Sequence, residues 1–219
     1  MNDIIKKKGR PLSFDRSDAM HKAMLLFWQH GYEATSLSDI TTALGVKPSS
    51  VYSAFGDKKG LFLDAVDLYL SGPVTSATII ERAPSAIEAA RALLRAAAIG
   101  FTGVDTPPGC LLASSAISCS DGAEDVKLAL AARRRSIEQQ LRTKVEQSIH
   151  GQLLPADSDA EALAGMTMAM IQGMSTLARD GATRQKLLAM ADTAMQAWPS
   201  VRHPVEPARV HVSSARPGT

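Results

Sequence analysis

The sequence predicts an all-α protein, and three observations support this fold class. Apolar residues recur at intervals of three and four along nearly the whole chain, which is the spacing of one helix face. Glycine, proline and short polar residues interrupt the pattern where helices would begin and end. Aromatic residues make up only 5% of the chain, while alanine and leucine are frequent from Ala86 onward, and this bias favours helix over sheet.

Four short helices are predicted over residues 14–72. The residues suited to their first turns are Asp15, Ser36 with Asp39 in a capping-box spacing, Pro48, and Asp57. The residues expected to end them are Gly31, Gly45, Gly56, and Gly72 with Pro73. The apolar residues expected to face inward are Met20, Met24, Phe27, Trp28, Leu37, Ile40, Leu44, Val51, Phe55, Leu61, Phe62, Ala65 and Val66.

The second and third of these helices, joined at Gly45, have the spacing of a helix-turn-helix, a motif that places its second helix in the DNA major groove. Val46 is suited to fill the angle between the two helices, and Lys47 lies at the start of the second. The third helix would present Pro48, Ser49, Ser50 and Ser53 outward. Short hydroxyl side chains can approach a groove floor and donate to bases or phosphates.

Positive charge is concentrated at the N-terminal end. Residues 1–60 carry nine Lys/Arg against six Asp/Glu, a balance of +3, which leaves −1 for the rest of the chain. The densest run is Lys6, Lys7, Lys8 and Arg10. We interpret residues 1–13 as a basic arm, in which Lys8-Gly9-Arg10-Pro11 resembles arms that insert arginine into a narrow minor groove. The alternative is a simply solvated terminus.

The order of residues in this region resembles the DNA-binding domain of the TetR/AcrR repressor family over about residues 10–70. The segments that carry the resemblance are Gly31-Tyr32-Glu33-Ala34-Thr35-Ser36-Leu37-Ser38-Asp39-Ile40, Ala43-Leu44-Gly45-Val46 and Val51-Tyr52-Ser53-Ala54-Phe55-Gly56-Asp57-Lys58-Lys59-Gly60-Leu61. The resemblance implies a three-helix helix-turn-helix DNA-binding domain followed by a larger helical domain. That larger domain would bind a ligand and form a homodimer through its last two long helices.

The resemblance also implies roles for individual residues. Tyr52 stands where the family places a tyrosine hydroxyl on the DNA backbone, and Lys58 where a lysine meets a phosphate; Ser36 replaces a common threonine. The full expected set of DNA contacts is Arg10, Thr35, Ser36, Lys47, Pro48, Ser49, Ser50, Tyr52, Ser53 and Lys58. The alternatives are that Tyr52 only packs and Ser36 only caps. Lys47 and Gly60 depart from the family pattern, so base preference is not carried over.

Longer helices are predicted over residues 73–198. The first runs over about residues 84–101, and a short helix begins at Cys110. A long amphipathic helix with a charged outer face runs from Val126 to Ile149, and two further helices cover residues 158–179 and 183–198. Residues 199–219 contain four prolines and no apolar period, and we interpret them as a flexible tail.

The last two predicted helices contain a candidate dimer face. In the helix over residues 158–179, the small residues Ala162, Gly165, Ala169 and Gly173 recur at intervals of three, four and four. A stripe of small side chains lets helices approach closely, as in the bundles that join subunits. The expected interface residues are Ala162, Gly165, Ala169, Gly173, Leu187, Ala191 and Met195. The alternative is an ordinary internal core.

A candidate effector pocket draws on the same region. Six of the nine methionines lie between Met166 and Met195, and flexible thioethers adapt to irregular apolar ligands, although methionine at helical spacing is also common in cores. The expected pocket residues are Phe101, Cys110, Leu111, Leu112, Ile137, Met166 and Met170.

The two cysteines, Cys110 and Cys119, have no spacing that indicates a disulfide framework or a zinc site, and the histidines are scattered. We therefore expect no metal, no cofactor and a reducing cytoplasmic setting. No apolar run is long enough to span a membrane. Cys110 follows a turn at a predicted helix start, where a lowered thiol pKa would suit it to redox or electrophile sensing; the alternative is a small buried apolar residue.

These observations favour a homodimeric repressor that binds a palindromic DNA operator and is released by an unknown small-molecule effector. The alternative within the same class is a thiol-based sensor that acts through Cys110. An enzymatic body is a third hypothesis, but no phosphate loop, nucleophile elbow or metal-ligand pattern supports it, and no catalytic residue is assigned.

Overall fold

A computed structural model describes residues 15–72, 74–115 and 120–199, and this part of the chain is helical with no strand. Its ten α-helices are α1 (Arg16–His30), α2 (Leu37–Leu44), α3 (Pro48–Phe55), α4 (Lys58–Leu70), α5 (Ser76–Arg82), α6 (Ala86–Gly100), α7 (Leu111–Ser114), α8 (Glu124–His150), α9 (Ala160–Arg179) and α10 (Arg184–Met195). A 3-10 turn at Asp121–Ala123 precedes α8. The predicted all-α class is confirmed. The basic arm with Arg10 and the tail from residue 200 lie outside the described residues.

Local sequence signals mark the starts of the first four helices as predicted, by side-chain caps in three of them and by a proline in α3. The Asp15 carboxylate accepts a hydrogen bond from the Ser17 N–H at 2.7 Å, and Ser36 forms a capping box with Asp39. Before α3, Lys47 makes no side-chain cap, so this helix relies on Pro48 in its first turn.

Helices α1 to α4 form an N-terminal unit, whose core is built from aromatic and branched side chains. Phe27 of α1 and Phe62 of α4 are fully buried, and their rings meet edge to face with centroids 5.0 Å apart. Ile40 of α2 and Val51 of α3 are also fully buried. Both helices of the helix-turn-helix are thereby held against the α1–α4 pair, which fixes the surface that α3 exposes.

Helix α5 was not predicted from the sequence. Its N-cap is Thr75, which forms a capping box with Thr78, and the helix runs for seven residues from Ser76. Its β-branched residues Thr78, Ile79 and Ile80 have weak helix propensity, and two turns are too few to show a period. Packing against α6 and α8 stabilises it.

Helices α5 to α10 form the larger unit, in which α5, α8, α9 and α10 pack against α6. The 27-residue α8 packs against α9, and α10 packs against α6. As a result Leu187, Ala191 and Met195 are buried within this chain. The expectation that these three residues form a dimer face is therefore corrected: they belong to the core of the subunit, because the apolar stripe of α10 is already covered by α6.

Candidate nucleic-acid interface and candidate ligand cavity

The turn between α2 and α3 is stabilised by its own backbone. Gly45 adopts a left-handed conformation with φ of +65°, which a side chain would resist. Its N–H donates to the Thr42 carbonyl at 3.2 Å, and the Val46 N–H donates to the Thr41 carbonyl at 3.1 Å. These two bonds form a Schellman motif that ends α2 and sets the angle at which α3 leaves it.

Helix α3 separates an inner from an outer face. Val51 and Phe55 are buried, whereas the Tyr52 side chain is 52% exposed. Lys47, Pro48, Ser49 and Ser53 are also exposed, and Ser50 is half-buried. Within the described residues the Tyr52 hydroxyl has no hydrogen-bond partner. The outer face therefore presents hydroxyl donors and one ammonium group to an approaching polyanion.

Lys58 lies at the first turn of α4, beside this face. Its Nζ is 3.4 Å from the Glu33 carbonyl oxygen and 4.4 Å from the centroid of the Tyr32 ring. These contacts hold the ammonium group against the turn between α1 and α2. Lys58 is also the first residue of α4, and the dipole of a helix favours an anion at its start. The arrangement is suited to a phosphate.

Gly60, noted as a departure from the family pattern, has a structural explanation. Its N–H donates to the Asp57 carboxylate at 2.7 Å. A Cβ atom at this position would lie 2.6 Å from the Phe55 carbonyl oxygen. The junction between α3 and α4 is therefore too close to admit a side chain.

Thr35 does not belong to the exposed surface. It is 1% exposed, and its hydroxyl donates to the Gly31 carbonyl at 2.7 Å. The expectation that Thr35 contacts DNA is corrected, since this hydroxyl is used to fix the turn after α1. Ser36 is exposed but serves as a cap, and its hydroxyl donates to the Asp39 carboxylate at 2.7 Å. This side-chain bond is the main reason that the pKa of Asp39 is lowered.

A cavity of about 280 Å³ lies where the N-terminal unit meets the larger one. Its wall combines α1 and α4 with α5 to α9. The lining residues are Trp28, Tyr69, Leu70, Val74, Thr75, Ser76, Ile79, Leu93, Ala96, Ala97, Gly100, Phe101, Cys110, Leu112, Ala113, Arg134, Ile137, Met168, Ile171 and Gln172. The wall is mostly apolar and has few polar groups, which is the usual composition of a small-molecule site.

Four of the seven expected pocket residues line this cavity: Phe101, Cys110, Leu112 and Ile137. Leu111, Met166 and Met170 are not in its wall, and this corrects their assignment. Leu111 is fully buried in the core instead. At about 100° per residue, Met166 and Met170 lie roughly 160–200° around α9 from Met168, so Met168 is the methionine that faces the cavity.

Cys110 is buried, and burial raises the pKa of its thiol. The Tyr69 hydroxyl donates to Cys110 Sγ at 3.3 Å. A lowered pKa was the reason for considering Cys110 as a thiol sensor, and the structure contradicts it. Cys110 is part of the cavity wall as a small apolar residue.

Sequence reasoning missed the polar and aromatic part of the wall. Trp28 was expected in the core of the N-terminal unit, Tyr69 was given no role, and Arg134 was placed on the charged outer face of the long helix. A sequence signal for Arg134 exists, since it is the middle residue of Arg133, Arg134 and Arg135. Successive residues of a helix point in different directions, so these three arginines do not all share one helix face.

Hydrogen bonds tie the cavity wall to the end of α1. The Trp28 indole N–H donates to the Gly109 carbonyl at 3.1 Å. Arg179 of α9 donates to the carbonyls of Trp28 at 3.1 Å and Gln29 at 3.0 Å, and the Tyr32 N–H donates to the Ser115 carbonyl at 2.9 Å. The position of the helix-turn-helix therefore depends on the segment around α7.

The small-residue stripe on α9 is accessible. Ala162, Ala169 and Gly173 are exposed, and Gly165 is half-buried. No atom lies within 4 Å of the position that a Gly173 Cβ would take. This face of α9 is open to a close-packing helix, in contrast to Leu187, Ala191 and Met195 of α10.

No helix in the described part of the chain combines the length and apolar character needed to cross a membrane. Across residues 15–72, 74–115 and 120–199, no group of three or more His, Cys, Asp or Glu side chains is arranged to hold a metal ion.

In the described residues, an exposed helix-turn-helix followed by a larger helical unit is the architecture typical of DNA-binding regulators. Residues 19–65 match the family described as bacterial regulatory proteins, tetR family, and residues 86–196 match the tetracyclin repressor-like C-terminal domain. The HTH-type transcriptional repressor ComR of Escherichia coli (strain K12) is 37% identical over 200 residues, which cover 90% of this chain and 95% of ComR.

Solved structures agree with this result. A cysteine mutant of the TetR family regulator CifR, complexed with 26-base-pair operator DNA, superposes with a TM-score of 0.83 at 38% identity and covers 87% of this chain and 100% of its own. A putative TetR regulator from Rhodococcus sp. RHA1 has a TM-score of 0.58 at 37% identity, covering 85% of this chain and 100% of its own. This chain belongs to the TetR family of DNA-binding transcriptional regulators.

Proposed function

We propose that this regulator is a homodimeric repressor that binds a palindromic operator and is released by a small-molecule effector bound in the cavity. The observation that carries the proposal is the shared cavity wall: Trp28 of α1 and Tyr69 of α4 line it together with residues of α6 to α9. An effector would contact the DNA-binding unit directly. Because α1 and α4 hold the helix-turn-helix, a change in the wall would change the direction of α3.

The outer face of α3 supports the DNA-binding role in detail. Lys47, Pro48, Ser49, Ser53 and Tyr52 are exposed together. CifR, which is similar over almost the whole chain, was solved on operator DNA, and ComR is named a repressor. We expect Lys58 and Tyr52 to contact phosphates and the serines to approach base edges.

The homodimer proposal is supported by the open small-residue stripe of α9. Two copies packed through Ala162, Ala169 and Gly173 would place two reading helices on one DNA face, where successive major grooves are about 34–36 Å apart. We expect Ala169→Glu to give a monomer in analytical ultracentrifugation, since a carboxylate would be buried in the pair. Ala132→Glu, at an exposed position of α8, is the control; a dimer in both variants would contradict this interface.

The effector proposal is tested on purified full-length protein with an operator found by genome-wide footprinting. A compound screen scored by loss of fluorescence anisotropy of the labelled operator should identify a releasing ligand. Ala96→Leu narrows the cavity from α6, so the variant should keep operator binding and lose release. Ala92→Leu lies one turn away, outside that cavity, and should respond like wild type. Release that is equal in both variants would contradict the proposed binding site.

A further inference from the structure

Arg134 is the cationic residue in the wall of the cavity, and it has no acidic partner in the described part of the chain. The adjacent Arg133 pairs with Asp67 at 2.6 Å, and Arg142 on the same helix pairs with Glu146 at 3.0 Å. Arg134 makes one hydrogen bond, from Nη1 to the Leu112 carbonyl at 2.8 Å. A guanidinium group has five N–H donors in a planar fork, so most of them remain available.

The cavity wall to which Arg134 belongs is mostly apolar. Cavity neighbours include Leu112, Ile137 and Ile171, and no Asp or Glu occurs among the residues that line the cavity. Partial removal from water lowers the pKa of Arg134, although the group stays protonated. A cation beside an apolar wall without a counter-charge favours an anionic ligand, since charges removed from water require a partner.

We propose that the cavity binds a small organic anion, a carboxylate with a hydrocarbon or aromatic body, whose charged end pairs with Arg134. This inference rests on the proposed effector function and specifies its ligand class. Arg is well suited to the role because its planar fork matches a carboxylate in a bidentate geometry. The apolar body would lie against the wall formed by α6, α8 and α9.

The volume and the remaining polar groups limit the ligand further. A volume of about 280 Å³ lies just below the usual range of ligand pockets, which begins at about 300 Å³, so the ligand is small. Gln172, Thr75 and Ser76 add neutral polar groups to the wall. An amine would find no acidic partner here, and an uncharged ligand would leave the guanidinium group without a counter-ion.

The contact between Arg134 and Leu112 gives the anion a route to the DNA-binding unit. Leu112 belongs to α7, a helix that directly follows Gly109 and Cys110 in the chain. The Gly109 carbonyl accepts the Trp28 indole N–H. An anion that engages Arg134 would compete with or reorient its bond to the Leu112 carbonyl. The resulting change at α7 would reach α1 through Gly109.

Calorimetric titration of the full-length protein with four probes tests the proposal. Benzoate and hexanoate are the anions, and benzamide and hexanamide are their uncharged counterparts. The variants are Arg134→Gln and Arg134→Lys, with Arg135→Gln as a matched control, because Arg135 is adjacent and exposed but absent from the cavity wall. Circular dichroism verifies that each variant is folded.

We expect wild type and Arg135→Gln to bind a carboxylate at least about tenfold more tightly than its amide, because hydrogen bonds between charged groups contribute more than neutral ones. Arg134→Gln should lose this preference, and Arg134→Lys should keep part of it. Equal binding of acid and amide, carboxylate binding unchanged in Arg134→Gln, or no binding of any probe would each overturn the anionic class. Operator release by an uncharged compound would in that case leave the proposed function intact, whereas failure of every compound to release the operator would remove both.

Discussion

Gly109 joins the cavity wall to the DNA-binding unit, and its replacement by alanine should destabilise the protein strongly. Gly109 has φ of +81°, a conformation that side chains resist. Its N–H donates to the Phe101 carbonyl at 3.0 Å, and its carbonyl accepts the Trp28 indole N–H at 3.1 Å. A Cβ atom here would lie 2.8 Å from the Ser175 carbonyl oxygen and 2.8 Å from Arg179 Cγ.

The magnitude follows from two separable terms. A left-handed conformation costs a residue with a side chain about 1–2 kcal/mol. Overpacking against atoms that include backbone adds about 1–3 kcal/mol. Near the middle of the summed range, a loss of about 3 kcal/mol lowers the Tm of a protein of this size by roughly 6–12 °C.

Gly181→Ala is the matched control. Gly181 has φ of +90°, but no atom lies within 4 Å of its Cβ position. It carries the conformational term without the steric one. The free energy of unfolding, measured by urea denaturation with circular dichroism, should therefore fall further in Gly109→Ala than in Gly181→Ala by about 1–3 kcal/mol.

Two outcomes would refute this reasoning. Equal losses in both variants would show that the contacts with Ser175 and Arg179 relax without a free-energy cost. A Gly109→Ala variant as stable as wild type would show that neither term operates. Operator affinity, measured on the folded fraction, gives a second readout, because displacement of Gly109 should also move Trp28 and weaken operator binding.

Three further predictions concern single positions. Tyr52→Phe should weaken operator binding by about 0.5–1.5 kcal/mol while leaving Tm unchanged, since its exposed hydroxyl bonds nothing within the described residues; anisotropy titration and thermal melting check this, and an altered Tm with unaltered affinity would contradict it. As the pH rises from neutral to alkaline, the free energy of unfolding should fall more in wild type than in Cys110→Ala. Burial raises the pKa of the Cys110 thiol, so the unfolded chain loses this proton first as the pH rises above about 8.5; parallel urea midpoints for the two proteins from pH 7 to 10 would count against this. Gly60→Ala should lose about 1–3 kcal/mol of stability through its contact with the Phe55 carbonyl, and an unchanged urea midpoint would show that the α3–α4 junction relaxes freely.

The sequence predicts the four helices that carry the candidate DNA-binding surface well, because the determinants of these helices are local. Asp15, Ser36 and Asp57 cap helices through bonds to residues two or three positions away. Gly45 and Pro48 act within a single turn. Such signals do not depend on tertiary contacts, and three of these residues, Ser36, Gly45 and Asp57, also belong to the segments that resemble known regulators. Thr35 was misplaced because burial of a single hydroxyl depends on what packs over it.

The larger unit is less predictable because it is defined by which helix covers which. The apolar stripe of α10 is equally compatible with a partner subunit and with α6, and only the packing decides that Leu187 and Ala191 face α6. Likewise, periodicity identifies an apolar α9 but does not say that Met168 faces a cavity while Met166 and Met170 do not. The short α5 depends on tertiary contacts for its existence.

The composition of the cavity wall bears on how release can operate. A ligand shifts an equilibrium only by its difference in affinity for the two states. A ligand held entirely by residues of α6 and α8 would bind equally well whatever the direction of the DNA-binding unit, and it would release nothing. Trp28 and Tyr69 belong to that unit and line the cavity. Because they belong to α1 and α4, they are the residues through which, in the proposed mechanism, the binding free energy of an effector would change operator affinity.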